Sequence, residues 1–258
     1  MTEKREPVKH RSVSQVLQYE RCAYSYKLGR IDRVWERPAA WFPQGTGVHK
    51  AAEEIERSDR TMTLEKAKEV FRDEYSAEVT RYAEKTPNFE YWFASGPYRG
   101  EADIERRFVR GQEHVERYMK YTEKNPKPDV LEGKLAVELG FETEFGGVPV
   151  RGFIDNVTEL EPVDVKSGNK PGDPFQLETY AGVLQKLYDI TPTVGFFMMT
   201  KTGKATYPYD VSHVSEDYLA DRYGEVDQKI KAGEFEPDPE PSKCRFCTVS
   251  SSCPFSMA

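Results

Sequence analysis

The stretch VPVRGFIDNVTELEPVDVK, residues 148–166, decides how this chain folds. We predict one strand over VPVRGFIDNV, with Asp155 at the end of its apolar part, and a second strand over PVDVK after a short acidic connection. Because alternate side chains of a strand share a face, Asp164 and Lys166 project together. Val163 and Val165 then point to the opposite, packed side.

The same strand-forming composition continues on both sides of this stretch. Residues 135–145, LAVELGFETEF, precede Gly146-Gly147, and this pair predicts a hairpin turn. Downstream, Asp173 as a cap and Pro174 at the first position predict a helix to Tyr188. The remaining predicted elements are a strand over 193–200, a paired strand over 205–211 and a last helix over 215–232.

The N-terminal part of the chain is helical in pattern. Hydrophobic spacing predicts helices over residues 12–30, 48–57, 63–85 and 102–122. Gly47 is expected to introduce the second of them, with His49 in its first turn. The order of elements is therefore helices, three strands, a helix, strands and a helix, which indicates an α/β protein.

Composition restricts the class of protein. The chain has 258 residues, 38% hydrophobic and 31% charged, with a net charge of −7, which suits a soluble globular protein. It has neither a run of about 18 apolar residues nor a secretory signal, so we expect a cytoplasmic protein without a membrane partner. Basic residues concentrate in 1–37 and acidic residues in 213–241, so a phosphate polymer would be attracted to one face only.

The four cysteines form a one-plus-three pattern. Cys22 stands alone, and Cys244, Cys247 and Cys253 follow as C-x2-C-x5-C. Reduced thiols in the cytosol favour metal ligation over disulfides. Because a zinc site of four thiolates usually uses two C-x2-C pairs, the pattern favours a 4Fe-4S cluster over structural zinc. Two disulfides, or four free buried thiols, would also be compatible with this spacing.

A divalent metal site is predicted at the two strand ends. Asp155 can reach the same end of the sheet as Asp164, and two converging carboxylates repel each other unless a cation lies between them. Oxygen ligands with room for water select Mg2+ or Mn2+. Lys166 would orient or deprotonate the attacking water, or neutralise charge on a phosphate. The alternative is a surface ion pair between Asp164 and Lys166.

These motifs resemble, in order, those of the RecB-like branch of the PD-(D/E)XK nucleases. The matching segments are GVHK, GFIDNV, VDVKSG, QLETY and the C-terminal cysteines. The iron–sulfur members are the most similar: the CRISPR-associated RecB-type exonucleases (the fourth Cas family) and the AddB nuclease domain. The resemblance implies one nuclease domain over 1–258 with a restriction-endonuclease-like core, a central mixed sheet flanked by helices. Its parts would be a helical region at about 12–125, the core at about 134–232, and an iron–sulfur clasp of about 240–258 plus Cys22.

The resemblance also implies roles for individual residues. His49, four residues after Gly45, and Asp155 and Asp164 would bind the metal, and Glu138 is a further acidic candidate. Lys166 would be catalytic together with Asp155 and Asp164. Two residues on one face of the next helix, Gln176 and Tyr180, would be free to meet DNA or Lys166 and would position the DNA strand. The cluster would be held by Cys22, Cys244, Cys247 and Cys253. Two departures are Ala23 and Ile154, where the family usually has proline. His49 could instead pack between helices, and Gln176 has the spacing of a capping box with Asp173.

The implied activity is that of a Mg2+- or Mn2+-dependent DNA exonuclease acting on single-stranded or frayed ends. It would serve recombination and repair, phage DNA processing or CRISPR adaptation, with a helicase, a recombinase or adaptation proteins as partners. A different reading is a DNA-binding or assembly module that has lost cleavage, and a third is a zinc-stabilised enzyme of unrelated chemistry. The aromatic segment with Tyr91, Trp92, Phe93 and Tyr98 would either stack on unpaired bases or pack in the core.

Overall fold

The computed structural model describes residues 9–258. Its helices are α1 (Val13–Arg21), α2 (Ala23–Tyr26), α3 (Trp41–Arg57), α4 (Leu64–Lys85), α5 (Gly100–Thr122), α6 (Pro174–Tyr188), α7 (Glu216–Ala232) and α8 (Pro241–Cys244). Its strands are β1 (Val130–Leu131), β2 (Lys134–Leu135), β3 (Val137–Phe145), β4 (Val148–Thr158), β5 (Glu161–Lys166), β6 (Val194–Met199), β7 (Lys204–Ala205) and β8 (Tyr209–Asp210).

The main sheet is mixed, as the sequence predicts. Its strands follow the order β3-β4-β5-β6-β7, and β8 also pairs with β6. Strand β4 runs antiparallel to β5, whereas β5 runs parallel to β6. The parallel pair needs a crossover connection, and α6 supplies it. Strands β1 and β2 form a separate small hairpin that the hydrophobic pattern does not predict.

Contacts between residues divide the chain into two units. The first contains Met1–Arg37, Phe141–Gly152 and Val214–Ala258, and the second contains Pro38–Gly140 and Phe153–His213. In the first unit, α1 contacts α7. There the buried guanidinium of Arg11 lies 2.7 Å from the Asp227 carboxylate.

The second unit has three layers. On one face of β5 and β6, Val163, Val165 and Met198 belong to a buried cluster with residues of α3, α4 and α5. On the other face lies α6, whose Leu177 packs against Gly195 of β6. This arrangement confirms the predicted α/β fold with helices on both faces of the sheet. It also confirms that the valines flanking Asp164 point into the core.

A phenylalanine holds α3, α4 and α5 together. The fully buried ring of Phe71 on α4 lies between Gly47 of α3 and Gly111 of α5. A Cβ at Gly47 would lie 2.9 Å from the ring, and one at Gly111 would lie 2.0 Å from it. Both distances are shorter than real contacts allow, so the two positions accept only glycine without repacking.

Three predicted boundaries need correction. The helix expected to begin at Val48 begins at Trp41, so Gly45 and Gly47 lie inside it; Pro43 is tolerated in the first turn because the N–H it lacks has no partner there. The helix expected over 12–30 is interrupted at Cys22, whose backbone is extended. The strand expected over 205–211 is two short strands, β7 and β8, because each pairs with a different part of β6.

Among the described residues, none of the helices combines the length and the apolar character that crossing a bilayer requires.

Candidate active site

Three carboxylates lie in a row across neighbouring strands of the second unit. Asn156 of β4 pairs with Val163 of β5, so Asp155 lies opposite Asp164. The N–H of Val157 donates to the carbonyl of Ala136, so by the same counting Asp155 also lies opposite Glu138 of β3. Side chains opposite each other share one face of a sheet, which brings all three acids together.

The Asp155 carboxylate is fixed where the paired strands separate. Its Oδ2 accepts a hydrogen bond of 2.7 Å from the N–H of Val165. The last pair of the ladder between β4 and β5 is Asn156 and Val163, so Asp155 is the residue of β4 just beyond the ladder. The side chain therefore bonds a backbone donor of β5 just past the end of the ladder, and this bond orients the carboxylate.

His49 joins two of these acids to make a triad. Its Nδ1 lies 3.7 Å from Glu138 Oε1 and 3.6 Å from Asp155 Oδ2. Ligand atoms of all three residues lie within 4.8 Å of one another; within residues 9–258 this is the one group of three or more His, Cys, Asp or Glu that meets this limit. We call it the acidic triad. Imidazole nitrogen and carboxylate oxygens are suitable ligands for a divalent cation.

Glu138 is held in a strained conformation. Its φ of 45° lies in the left-handed region, although it is not glycine and lies within β3. Such a backbone costs about 1–3 kcal/mol and occurs preferentially at functional sites. The Glu138 carboxylate lies beside His49, and the strained backbone together with this contact favours a role for Glu138 in binding a metal.

The pKa values indicate an excess of negative charge at the triad. Burial raises the pKa of Asp155 to about 7, and the carboxylates of Asp164 and Glu138 act in the same direction, while His49 and the Val165 N–H oppose them. Burial alone would lower the pKa of His49, but Asp155, Glu138 and Asp164 outweigh it and raise it to about 9. A bound divalent cation would neutralise this charge, so the residues present fit a metal site.

Asp164 and Lys166 form a close pair beside the triad. Lys166 Nζ lies 2.7 Å from Asp164 Oδ2, and Asp164 is almost fully buried. Burial raises the pKa of Asp164, and the Lys166 ammonium acts against that shift. Asp164 is thus not one of the three closest ligand residues, and its structural partner is Lys166.

A glycine makes room for the lysine. A Cβ at Gly172, in the connection before α6, would lie 2.6 Å from Lys166 Cε and 2.7 Å from the ring of Phe197. Further along, the N–H and the hydroxyl of Thr200 both donate to the carbonyl of Lys166, at 3.0 and 3.2 Å. Neither Gly172 nor Thr200 carries a signal in the sequence, because their importance lies in packing.

Gln176 and Tyr180 share a face of α6, as their spacing predicts. Asp173 caps the helix, since its side chain accepts from the N–H of Phe175. Tyr180 is only 3% exposed, so of the two expected contacts, DNA or Lys166, burial contradicts the contact with DNA. Burial raises its pKa, the carboxylates of Asp155, Asp164 and Glu138 raise it further, and a hydrogen bond from the Gln176 side chain opposes them. Its hydroxyl therefore lies among the acids.

The aromatic segment contributes mostly to the core. Trp92 and Phe93 are buried, and their rings contact those of Tyr82 and Trp41, respectively. Tyr98 is partly exposed and lies under the guanidinium of Arg106. Of the two open interpretations, core packing is therefore correct for Trp92 and Phe93.

The four cysteines lie in the first unit. All four are free thiols of intermediate burial. Burial raises the pKa of Cys247, and the charges of Cys22 and Cys253 act in the same direction, so these three sulfurs are near one another. The N–H of Asp238 also donates to Cys22 Sγ at 3.5 Å. The fold thus places Cys22 near the C-terminal segment, and binding of a cluster by the four cysteines stays a prediction.

Comparison with known proteins agrees with this geometry, which is that of a metal-dependent nuclease. The family model of the PD-(D/E)XK nuclease superfamily matches residues 10–254. The chain therefore belongs to the PD-(D/E)XK nuclease superfamily, a group of nucleases that use divalent metals. This confirms the superfamily predicted from the motifs, while the RecB-like branch and the iron–sulfur subclass stay predictions.

Similar proteins occur in mycobacteriophages. The gene 69 protein of Mycobacterium phage L5 is 44% identical over 287 residues, covering 98% of this chain and 99% of that protein. The gene 69 protein of Mycobacterium phage D29 is 45% identical over 259 residues, covering 95% and 96%. A crystal structure of a protein from Eubacterium rectale, described as a candidate exonuclease, has a TM-score of 0.50 at 12% identity, covering 89% of this chain and 84% of that one. This last similarity concerns the fold alone.

Proposed function

We propose that this nuclease is a Mg2+- or Mn2+-dependent DNA exonuclease that acts on single-stranded or frayed ends. The observation that carries the proposal is the acidic triad next to the Asp164–Lys166 pair, at one end of a sheet of the superfamily's fold. A binding module would not need this combination, because clustered acids repel nucleic acid unless a cation is bound.

His49, Glu138 and Asp155 would hold the metal, with Asp164 at its edge. When bound, the metal polarises the scissile phosphodiester and lowers the pKa of an attacking water. Lys166 would donate from its ammonium group to that water or to a phosphate oxygen, since its Nζ is held beside Asp164 and partly exposed. Tyr180 would orient the carboxylates through its hydroxyl, and Gln176 would orient Tyr180 in turn.

The four cysteines would bind a 4Fe-4S cluster. Around one zinc ion with Zn–S bonds of about 2.3 Å, thiolate sulfurs approach each other to about 3.8 Å. The one-plus-three spacing, with a single C-x2-C pair, supports the larger inorganic core of a 4Fe-4S cluster instead. The cluster would tie α1 to the C-terminal segment within the first unit. Iron and acid-labile sulfide in anaerobically purified protein, lost in Cys22→Ser, would test this; a colourless protein with stoichiometric zinc would contradict it.

The origin of the relatives favours one of the predicted pathways. Both gene 69 proteins come from phages, so we propose processing of phage DNA ahead of CRISPR adaptation or cellular repair. A helicase or recombinase partner would supply the single strand, because the motifs recognised in the sequence include none of a helicase.

Digestion of end-labelled single-stranded DNA with Mn2+ tests the function. We expect products shortened progressively from an end, and a loss of about a hundredfold or more in rate for Asp164→Ala. Asp73→Ala is the matched control, since Asp73 is an exposed aspartate on α4. A wild-type protein that binds the DNA and leaves it intact would support the non-catalytic module instead. Equal cutting of circular single strands would show an endonuclease.

A further inference from the structure

A large aromatic side chain is exposed beside the acidic triad. Phe153 is 54% exposed and lies two residues before Asp155 on β4. Residues two apart in a strand point to the same face, so the ring and the Asp155 carboxylate face the same side of the sheet. Their backbones are about 6.6 Å apart, a distance that one nucleotide can span.

The ring is placed by a glycine on the neighbouring strand. Gly140 lies two residues after Glu138 on β3, and the ring of Phe153 lies over it. A Cβ at Gly140 would be 3.1 Å from Phe153 Cε1, so even alanine there would require the ring to shift by a few tenths of an ångström. Glu138 thus lies opposite Asp155 across β3 and β4. The next pair on the same face of the sheet is Gly140 and Phe153.

An exposed apolar side chain is ordinary by itself. Tyr207, for example, is 94% exposed and lies between β7 and β8. Phe153 differs from an ordinary exposed side chain because its uncharged ring lies next to a site that would hold a phosphodiester. The part of a nucleotide that suits such a surface is the flat face of the base.

We propose that Phe153 is a stacking platform for the unpaired nucleobase next to the phosphodiester held at the acidic triad. The proposal rests on the proposed nuclease function and specifies its substrate. A base inside a duplex is already stacked on its neighbours, so only an unpaired base can use the ring. Stacking is tolerant of sequence because every base has a π-face. The platform therefore selects single-stranded or frayed ends without selecting a sequence.

Substitution of the ring tests the proposal on a single-stranded oligodeoxynucleotide with Mn2+. Phe153→Ala should raise KM about five- to hundredfold, the range of one lost base stack, and leave kcat within about twofold. Phe153→Trp should keep the wild-type KM, and Phe153→Leu, which is apolar but has no π-face, should lie between them. Tyr207→Ala is the matched control for loss of an exposed ring and should change neither constant.

An abasic scan separates stacking from a general effect on the fold. Removing one base at a time from the oligodeoxynucleotide should raise the wild-type KM most at one position, and Phe153→Ala should abolish the difference at that position. A 2-aminopurine placed there should be quenched on binding to the inactive Asp164→Ala protein and stay bright when Phe153 is also alanine. Gly140→Ala should weaken binding in the wild type and have no further effect in the Phe153→Ala background.

The outcomes distinguish failure of the stacking platform from failure of the proposed nuclease function on which it rests. Normal digestion by Phe153→Ala with an unchanged KM and an unchanged abasic profile would overturn the stacking platform and leave the nuclease in place. A wild-type protein without metal-dependent digestion would overturn the proposed function, and the platform with it. If Phe153→Ala unfolds, the comparison of Phe153→Trp with Phe153→Leu decides, because both keep a large apolar side chain at this position and only tryptophan has a π-face.

Discussion

Substitutions of Glu138 test most directly whether this residue binds a metal or has only a structural role. Its carboxylate lies against His49 and Asp155, and its backbone has a φ of 45°. In the absence of metal, the residue destabilises the fold through about 1–3 kcal/mol of backbone strain and through repulsion from Asp155 and Asp164, and its attraction to His49 opposes these two effects. Glu138→Gln removes the repulsion and keeps the side-chain length, and Glu138→Gly removes the strain as well.

We therefore expect metal-free Glu138→Gln to be as stable as the wild type or more so, and Glu138→Gly not to be less stable than Glu138→Gln. Addition of Mn2+ at a hundred times its Kd should stabilise the wild type by about 2.7 kcal/mol, because the ion binds only the folded state. For a chain of this size, that shift raises Tm by about 5–10 °C. In both Glu138 variants most of this rise should disappear.

The assay is thermal unfolding of the protein after chelation, with and without added Mn2+. Glu84→Gln, an exposed glutamate on α4, serves as the control and should show the full metal response. A glutamate with a purely structural role gives the opposite pattern. If Glu138→Gln lowers Tm in the absence of metal and keeps the wild-type response to Mn2+, the assignment of Glu138 to the metal site is refuted.

Other parts of the second unit give three further predictions. Gly172→Ala should displace Lys166 by contact with its Cε, which would lower kcat about tenfold or more with a small change in Tm, measurable by steady-state digestion; unchanged kcat would mean that the lysine position is not critical. Gly111→Ala should cost about 1–3 kcal/mol in chemical denaturation because its Cβ overlaps the Phe71 ring, and a loss below that range would show that the helices can separate freely. Burial next to arginines lowers the pKa of His114 to about 4. As the pH falls, the histidine of the unfolded chain therefore takes up a proton before the histidine of the folded protein does. The free energy of unfolding should be constant above about pH 6.5 with respect to this group and should decrease by about 3 kcal/mol down to pH 4. His114→Asn should lose that dependence in urea titrations, and an identical pH profile would contradict the buried neutral histidine.

Much of the site could be predicted because its signals are local. Asp164 and Lys166 share a face because strand side chains alternate, and Gln176 and Tyr180 share a face because they are four residues apart in a helix. The cap at Asp173 depends on the first turn of α6 alone. Local geometry of this kind does not depend on which partner the element meets.

Predictions failed where packing overrides local preference. Gly45 and Gly47 suggested the end of a loop, yet both lie within α3, where Gly47 allows the helix to pack closely against Phe71. Tyr180 was expected to be free to meet DNA or Lys166, yet it is buried away from DNA, because its face of α6 turns towards the carboxylates. Glycine and tyrosine each have several uses, and only the neighbouring element decides among them.

By itself, the sequence determined the α/β class, the nuclease superfamily and the pairing of Asp164 with Lys166, since each of these follows from the order of motifs or from the period of a strand. The tertiary structure alone decided that Glu138 completes the triad with His49 and Asp155, and that Phe153 is left exposed beside them. The register between β3 and β4 and the left-handed backbone of Glu138 are set by contacts across the sheet, and no spacing along the chain encodes such contacts.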